Sequence, residues 1–188
     1  MNNSVMETIM SRRAVRSYQD KPIPKDILNE IIEAGNASPS GMNVQAWRFV
    51  VVQDKKIREK LVKLSLPKVE QWLGDKAEPV RTRRRKMAQE MGDPIYYEAP
   101  AIVFVIGSGN MMNYDTPMVC ENMMLSARSF GLGSCWVLFG SFAAEDPEIK
   151  KLLELKDGEK VFGPIIMSYP KGEFPDAPSK KPPVVKWL

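Results

Sequence analysis

The sequence predicts one domain of mixed α and β structure, of the α+β or α/β class, with four or five strands. Three observations carry this. Residues 100–106, Pro-Ala-Ile-Val-Phe-Val-Ile, are an apolar run of strand length, the pattern of a strand buried on both faces. Residues 48–53 are rich in Val and Phe and predict a second strand, central in the sheet. Around them lie longer segments whose apolar residues recur every three or four positions, as in helices with one buried side. The 188 residues suffice for one domain with a substantial core and are short for two.

Residues 4–13 predict a short helix with Val5 and Ile9, and beside them Met6 and Met10, on one apolar face. Its basic end suits the negative pole of the helix dipole, which is the plain structural reading of Arg12 and Arg13. Arg16 lies beyond the helix, where the dipole does not explain it. Pro22-Ile23-Pro24 is a rigid connector, and Pro24 is expected in the first turn of the next helix. The buried stripe of that helix is Ile27, Leu28, Ile31, Ile32 and Ala34. Gly35, Ser38, Pro39 and Gly41 then break regular structure.

Residues 54–66 predict a helix capped by Asp54. In the stretch 67–92, Trp72 and Leu73 suggest one packed helix and 80–91 a second, lid-like one. Trp72, Tyr96 and Tyr97 are equally readable as pocket walls or as core. A polar loop is expected over 107–116. A helix over 117–130 follows, with Cys120, Met123, Met124, Ala127 and Phe130 inward and Glu121 and Arg128 pairing with other elements. Gly131-Leu132-Gly133 ends it, and 134–139 predicts a strand. Residues 147–155 predict a helix with Asp146 as cap and Pro147 in its first position. The last strand, 161–169, is interrupted at Gly163-Pro164. The Pro- and Lys-rich residues 170–188 cannot fold alone. Their apolar end, Val184-Val185-Lys186-Trp187-Leu188, predicts packing against another surface.

Histidine is absent, which excludes imidazole acid–base chemistry, His-based triads and most zinc sites. Cys120 and Cys135 form no paired metal or redox motif and read as buried free thiols. Much of the excess behind the net charge of +4 sits in Arg81, Arg83, Arg84, Arg85 and Lys86. Without interleaved aromatics this run reads as a solvated helix face able to steer anionic ligands, not as a nucleic-acid site. There is no Gly-x-Gly-x-x-Gly and no Walker loop. No apolar run is long enough to span a bilayer, and the start does not resemble a signal peptide. The expectation is a cytoplasmic protein with no nucleic-acid or membrane partner.

The candidate functional residues fall in two early segments. Ser11-Arg12-Arg13-Ala14-Val15-Arg16 offers charge for a phosphate. Ala37-Ser38-Pro39-Ser40-Gly41-Met42-Asn43-Val44-Gln45-Ala46-Trp47 offers fixed hydrogen bonds for a flat polar ring. Singly, Ser38 and Ser40 read as turn formers and Asn43 as a helix cap. Jointly, the segments point to a nucleotide-like cofactor. Together with residues 99–103, 131–136, Tyr169-Pro170 and Lys180-Lys181-Pro182, they resemble the nitroreductase family of flavin enzymes, in family order along nearly the whole chain.

The resemblance implies an α+β fold, a three-layer α/β/α sandwich around a mostly antiparallel mixed sheet, in an intertwined homodimer with shared sites. Residues 1–169 would form the FMN-binding domain, and 170–188 an extension packing on the core or the partner subunit. Arg12 and Arg13 are carried to the FMN phosphate, and Arg16 to the polar ring edge or the phosphate. Ser38, Pro39, Ser40 and Asn43 match a loop donated by the other subunit beside the ring, with Gln45 holding that loop. The backbone of Trp136, Val137 and Leu138 matches a segment near the central ring nitrogens. Lys180 or Lys181 matches a late basic residue returning to the phosphate. Ala14 stands where the family commonly has serine, which removes one hydroxyl contact.

The implied activity is ping-pong transfer of reducing equivalents from NADH or NADPH through FMN to nitroaromatics, quinones or similar small electrophiles. No catalytic side chain is required, because the cofactor carries the chemistry and water can supply protons. The alternatives are a flavin reductase, another flavin-dependent redox enzyme with a specialised substrate, or a non-catalytic flavin-binding or redox-sensing module.

Overall fold

The computed structural model describes residues 3–74, 82, 86 and 92–188. Its centre is β2 (Ala101–Gly107), buried throughout as the apolar run predicts. β2 pairs antiparallel with β1 (Trp47–Val52) on one side and with β4 (Lys160–Ser168) on the other. β3 (Gly133–Trp136) pairs antiparallel with the far side of β4, so the order is β1-β2-β4-β3. The parallel component is an isolated bridge between Ala14 and Ser134. β1 is therefore an edge strand, not the central one expected. Phe49 and Val50 are half-buried, Val51 is exposed and Val52 is buried.

Alternation along β2 builds two cores, as period-two side chains must. Ile102, Phe104 and Ile106 pack with Leu61 and Val69 of α3 (Lys55–Gly74). Ala143 of α5 (Leu138–Ala143) and Ile149 of α6 (Pro147–Leu152) complete that layer. Ala101, Val103 and Val105 face the opposite way. They meet Leu28 and Ile31 of α2 (Lys25–Asn36) and Val119, Met123 and Ala127 of α4 (Met112–Ser129). This is the expected α/β/α sandwich. α2 and α4 approach closely at Gly35, where a Cβ would lie 2.6 Å from Met123 Cγ.

Several boundaries differ from the sequence reading for local reasons. α3 continues through Pro67, because Leu61, Ser65 and Val69 form one buried stripe across it. The Ser65 hydroxyl and the Tyr96 hydroxyl share a hydrogen bond of 2.9 Å. α4 begins at Met112 rather than at Pro117, so half of the expected polar loop is helix. Phe130 caps α4 half-exposed instead of pointing inward. The strand expected over 134–139 ends at Trp136, since the Val137 N–H donates to the Pro164 carbonyl (2.9 Å) and α5 starts. β4 runs through Gly163-Pro164 with one extra residue, a bulge, between the Ile165–Val103 and Phe162–Val105 pairs. The basic helix expected over 80–91 lies outside the described residues, apart from Thr82 and Lys86.

Among the described residues, α1 (Ser4–Ser11) and the end of the tail leave apolar side chains uncovered. α1 exposes Val5, Met6, Ile9 and Met10 by 44–68%. Beyond Tyr169 the start of the tail is tied down: Gln19 Nε2 donates to Pro170 O (2.9 Å), and Phe174 lies under the Arg128 guanidinium at 4.1 Å. Val184, Val185, Trp187 and Leu188 at its end are exposed. No helix among the described residues is long and apolar enough to cross a membrane.

Candidate functional site

The basic segment starts where α1 stops. Arg12 is the C-cap, and its Nε lies 3.4 Å from Glu121 Oε1 on α4. Arg13 Nη1 donates to the carbonyls of Met10 (2.7 Å) and Arg12 (2.8 Å), while its buried Nε has no partner. Arg16 is exposed, with its guanidinium 5.8 Å from the centre of the Tyr97 ring. Among the described residues neither Arg13 nor Arg16 forms an ion pair. Two guanidiniums without carboxylates, one with an unused buried N–H, fit the phosphate of a flavin mononucleotide.

β3 holds this segment in place. The Val15 N–H donates to Ser134 O (3.0 Å), and a Cβ on Gly133 would fall 2.7 Å from the Val15 side chain. Arg128 Nε binds the Ser11 hydroxyl at 3.1 Å. Tyr18 donates to the Val15 carbonyl, and burial pushes its hydroxyl pKa up.

The ring-loop residues are placed separately. Ser38 is buried and accepts from Asn122 Nδ2 (2.8 Å), so its hydroxyl serves as an anchor. Pro39 is exposed. Ser40 braces the loop: its carbonyl accepts from Asn43 N–H and its hydroxyl from Gln45 N–H, each at 3.0 Å. Gln45 Nε2 donates to the Asn43 carbonyl at 3.4 Å, a contact inside the loop. Met42, Asn43 and Gln45 all have φ between 52° and 56°, the left-handed region that non-glycine residues avoid. Such backbone persists where its surroundings over-determine it, commonly at binding sites.

Trp136 and Leu138 are each 42% exposed, and Val137 is buried. The Val137 carbonyl accepts from Gly140 N–H (3.2 Å), so its backbone donor and acceptor are both committed. Trp136, Phe162, Pro117, Cys120 and Met124 line an apolar recess of ≈ 250 Å³ between α4 and the sheet. Burial there pushes the Cys120 thiol to about 12. Lys180 and Lys181 lie exposed on the tail. Two larger recesses, ≈ 450 and ≈ 430 Å³, contain none of the expected site residues.

The chain thus joins Arg12–Arg16 to β3 at Gly133 and Ser134, and holds the ring loop on another face of α4. Glu121 and Arg128, seven residues apart, serve the first; Asp115 and Asn122, also seven apart, serve the second. Sequence reasoning singled out the first pair but missed the second. The signal was there: polar residues at a seven-residue spacing on a mainly apolar helix. The aromatic candidates resolve as packing. Tyr96 and Tyr97 are core, and Trp72 stacks on Phe142 at 5.3 Å and meets Phe139 edge-on at 5.5 Å.

The Nitroreductase family pattern matches residues 9–169. A nitroreductase from Bacteroides fragilis, solved with bound FMN, is 30% identical and covers 100% of both chains with a TM-score of 0.79. A BluB-like flavoprotein from Clostridium difficile is 27% identical over 96% of both chains, with a TM-score of 0.77. The FMN reductase [NAD(P)H] of Bacillus subtilis is 36% identical over 63 residues, 34% of this chain and 25% of its own. Sequence match and shared architecture agree: the chain belongs to the nitroreductase family, a family of flavin-dependent oxidoreductases.

Proposed function

We propose that this protein is an FMN-dependent oxidoreductase that passes reducing equivalents from NADH or NADPH to small electrophiles such as nitroaromatics and quinones. It works in the cytoplasm as a homodimer. The observation that carries the reading is Arg13, a partly buried guanidinium with an unused Nε and no neutralising acid among the described residues. It holds the phosphate together with Arg16 and with Arg12, which it shares with Glu121. The Ser38–Gln45 loop presents the Asn43 side chain to a ring edge, while Trp136 and Leu138 shield the ring from water. FMN, when bound, supplies the hydride chemistry. The FMN-bound relative and the NAD(P)H-dependent reductase support this choice of cofactor and donor.

Shared sites are supported by the separate anchoring of loop and basic segment, and by the uncovered faces of α1 and the tail. Exposed apolar surface of this kind marks an interface. A stable flavin-loaded monomer in a solution mass measurement would overturn the homodimer.

The test of function is anaerobic. The purified protein should release FMN on denaturation, and its visible flavin absorbance should bleach on mixing with NADH or NADPH. Failure to bleach with either donor at millimolar concentration sinks the reductase reading. An acceptor panel then separates a broad reductase from a flavin enzyme with one specialised substrate, the second reading that the BluB-like neighbour keeps open.

A further inference from the structure

We infer that Asp115 and Asn122 of α4 are positioning residues that set the loop facing the flavin ring; this rests on the flavin reading above. Seven residues advance an α-helix by almost two full turns, so both side chains leave the same face of α4. Each grips one half of the loop's entry. Asn122 Nδ2 donates to Ser38 Oγ (2.8 Å) and to Ala34 O (3.3 Å), joining the end of α2 to the loop's first residue. The Asp115 carboxylate, only 7% exposed, accepts from the Gly41 N–H at 3.3 and 3.4 Å. The Met111 side chain closes over the same point, 3.5 Å from where a Gly41 Cβ would stand. Trp47 Nε1 donates to Asn36 Oδ1 (3.1 Å) and closes the loop's base.

Immediately beyond the Gly41 anchor come the left-handed residues Met42, Asn43 and Gln45. The internal braces from Ser40 fix their shape, and the α4 anchors at Ser38 and Gly41 hold that shape against the body of the molecule. Asp115 forms no ion pair among the described residues, so its buried charge is directed at one backbone amide. A purely structural use exists for Asp115: an acid in the first turn of a helix whose N-cap residue, Met111, gives no side-chain cap. Asn122, in mid-helix, has no such use.

The experiment compares FMN with riboflavin, which lacks the phosphate, by fluorescence titration of flavin-free full-length protein. Asp115→Ala and Asn122→Ala should each raise Kd about tenfold for both ligands, since a displaced loop loses ring contacts irrespective of the phosphate. Asp115→Asn keeps an acceptor for the Gly41 N–H and should restore binding to within about twofold of wild type. Variants that melt at lower temperature yet bind both flavins as wild type would overturn the inference, leaving a structural role only. So would a loss confined to FMN. If Asp115→Ala does not fold, Asn122→Ala decides alone. Wild-type protein that binds neither flavin removes the flavin reading itself, and this inference with it.

Discussion

The Arg12–Arg16 segment and the Ser38–Gln45 loop both lean on α4, yet they are held in opposite ways. The basic segment has guanidiniums to spare: among the described residues Arg13 Nε is unpartnered, and Arg16 touches only a carbonyl at 3.5 Å and an aromatic face. The loop spends its serines, its Gly41 amide and its glutamine on itself and on α4. A phosphate is a compact charge that attracts from many directions, so flexible cations with open valences suit it. A ring edge presents donors and acceptors at fixed spacings, so its contacts must be set beforehand. Pre-set geometry is why strained backbone sits in the loop and not in the basic segment.

Removing a cation should break this contrast most visibly. Arg13→Ala is expected to weaken FMN binding about 10- to 100-fold, the value of a lost charge-assisted contact, and to leave riboflavin binding unchanged. Equal losses for the two ligands would place Arg13 at the ring instead.

A clamp whose partners belong to neither region supplies the control. Arg48 grips Glu159 through Nε (2.8 Å) and Nη2 (2.7 Å), and its Nη2 also reaches the Glu154 carbonyl (2.8 Å). The hydrogen bond from Arg48 is the main cause holding the Glu159 carboxyl down at about 2. A carboxyl lowered in the folded state adds stability that is full above its unfolded pKa and lost as pH falls toward the folded one. Glu159→Gln should therefore cost about 1–3 kcal/mol at pH 7. Its difference from wild type should shrink as pH falls from about 4.5 to 2, in chemical unfolding followed across pH. Flavin affinity should not move.

The smallest effect concerns strain. Met42→Gly relieves a left-handed residue, a gain of about 1–2 kcal/mol, against about 0.5–1 kcal/mol of added chain entropy. The net of roughly 0.5 kcal/mol should raise Tm by about 1–2 °C. A lower Tm would mean that Met42 is held by its side chain rather than tolerated in spite of it.

Much of this molecule was readable from its residues. The run 100–106 announced a core strand, observed over Ala101–Gly107, because a strand covered on both faces has no room for polar alternation. Asp146 and Pro147 announced α6, with the cap hydrogen bond from Glu148 N–H at 2.9 Å. What escaped depended on contacts between distant segments. Pro67 and Pro117 read as boundaries, but buried neighbours carry both helices past them. β1 read as central because Val and Phe report strand type and not position in the sheet. Asp115 and Asn122 carried a seven-residue spacing in the sequence, but their partners, Gly41 and Ser38, are seen only in the fold.

The missing histidine and the buried Cys120 have one more consequence. Between about pH 6 and 7.5 the side chain that ordinarily titrates is imidazole, and this chain has none. Burial pushes the Cys120 thiol to about 12, so neither imidazole nor this thiol alters the charge that an incoming molecule meets across that interval. A bend in a turnover profile there has no imidazole or Cys120 origin, which directs attention first to the acid–base behaviour of what the protein binds.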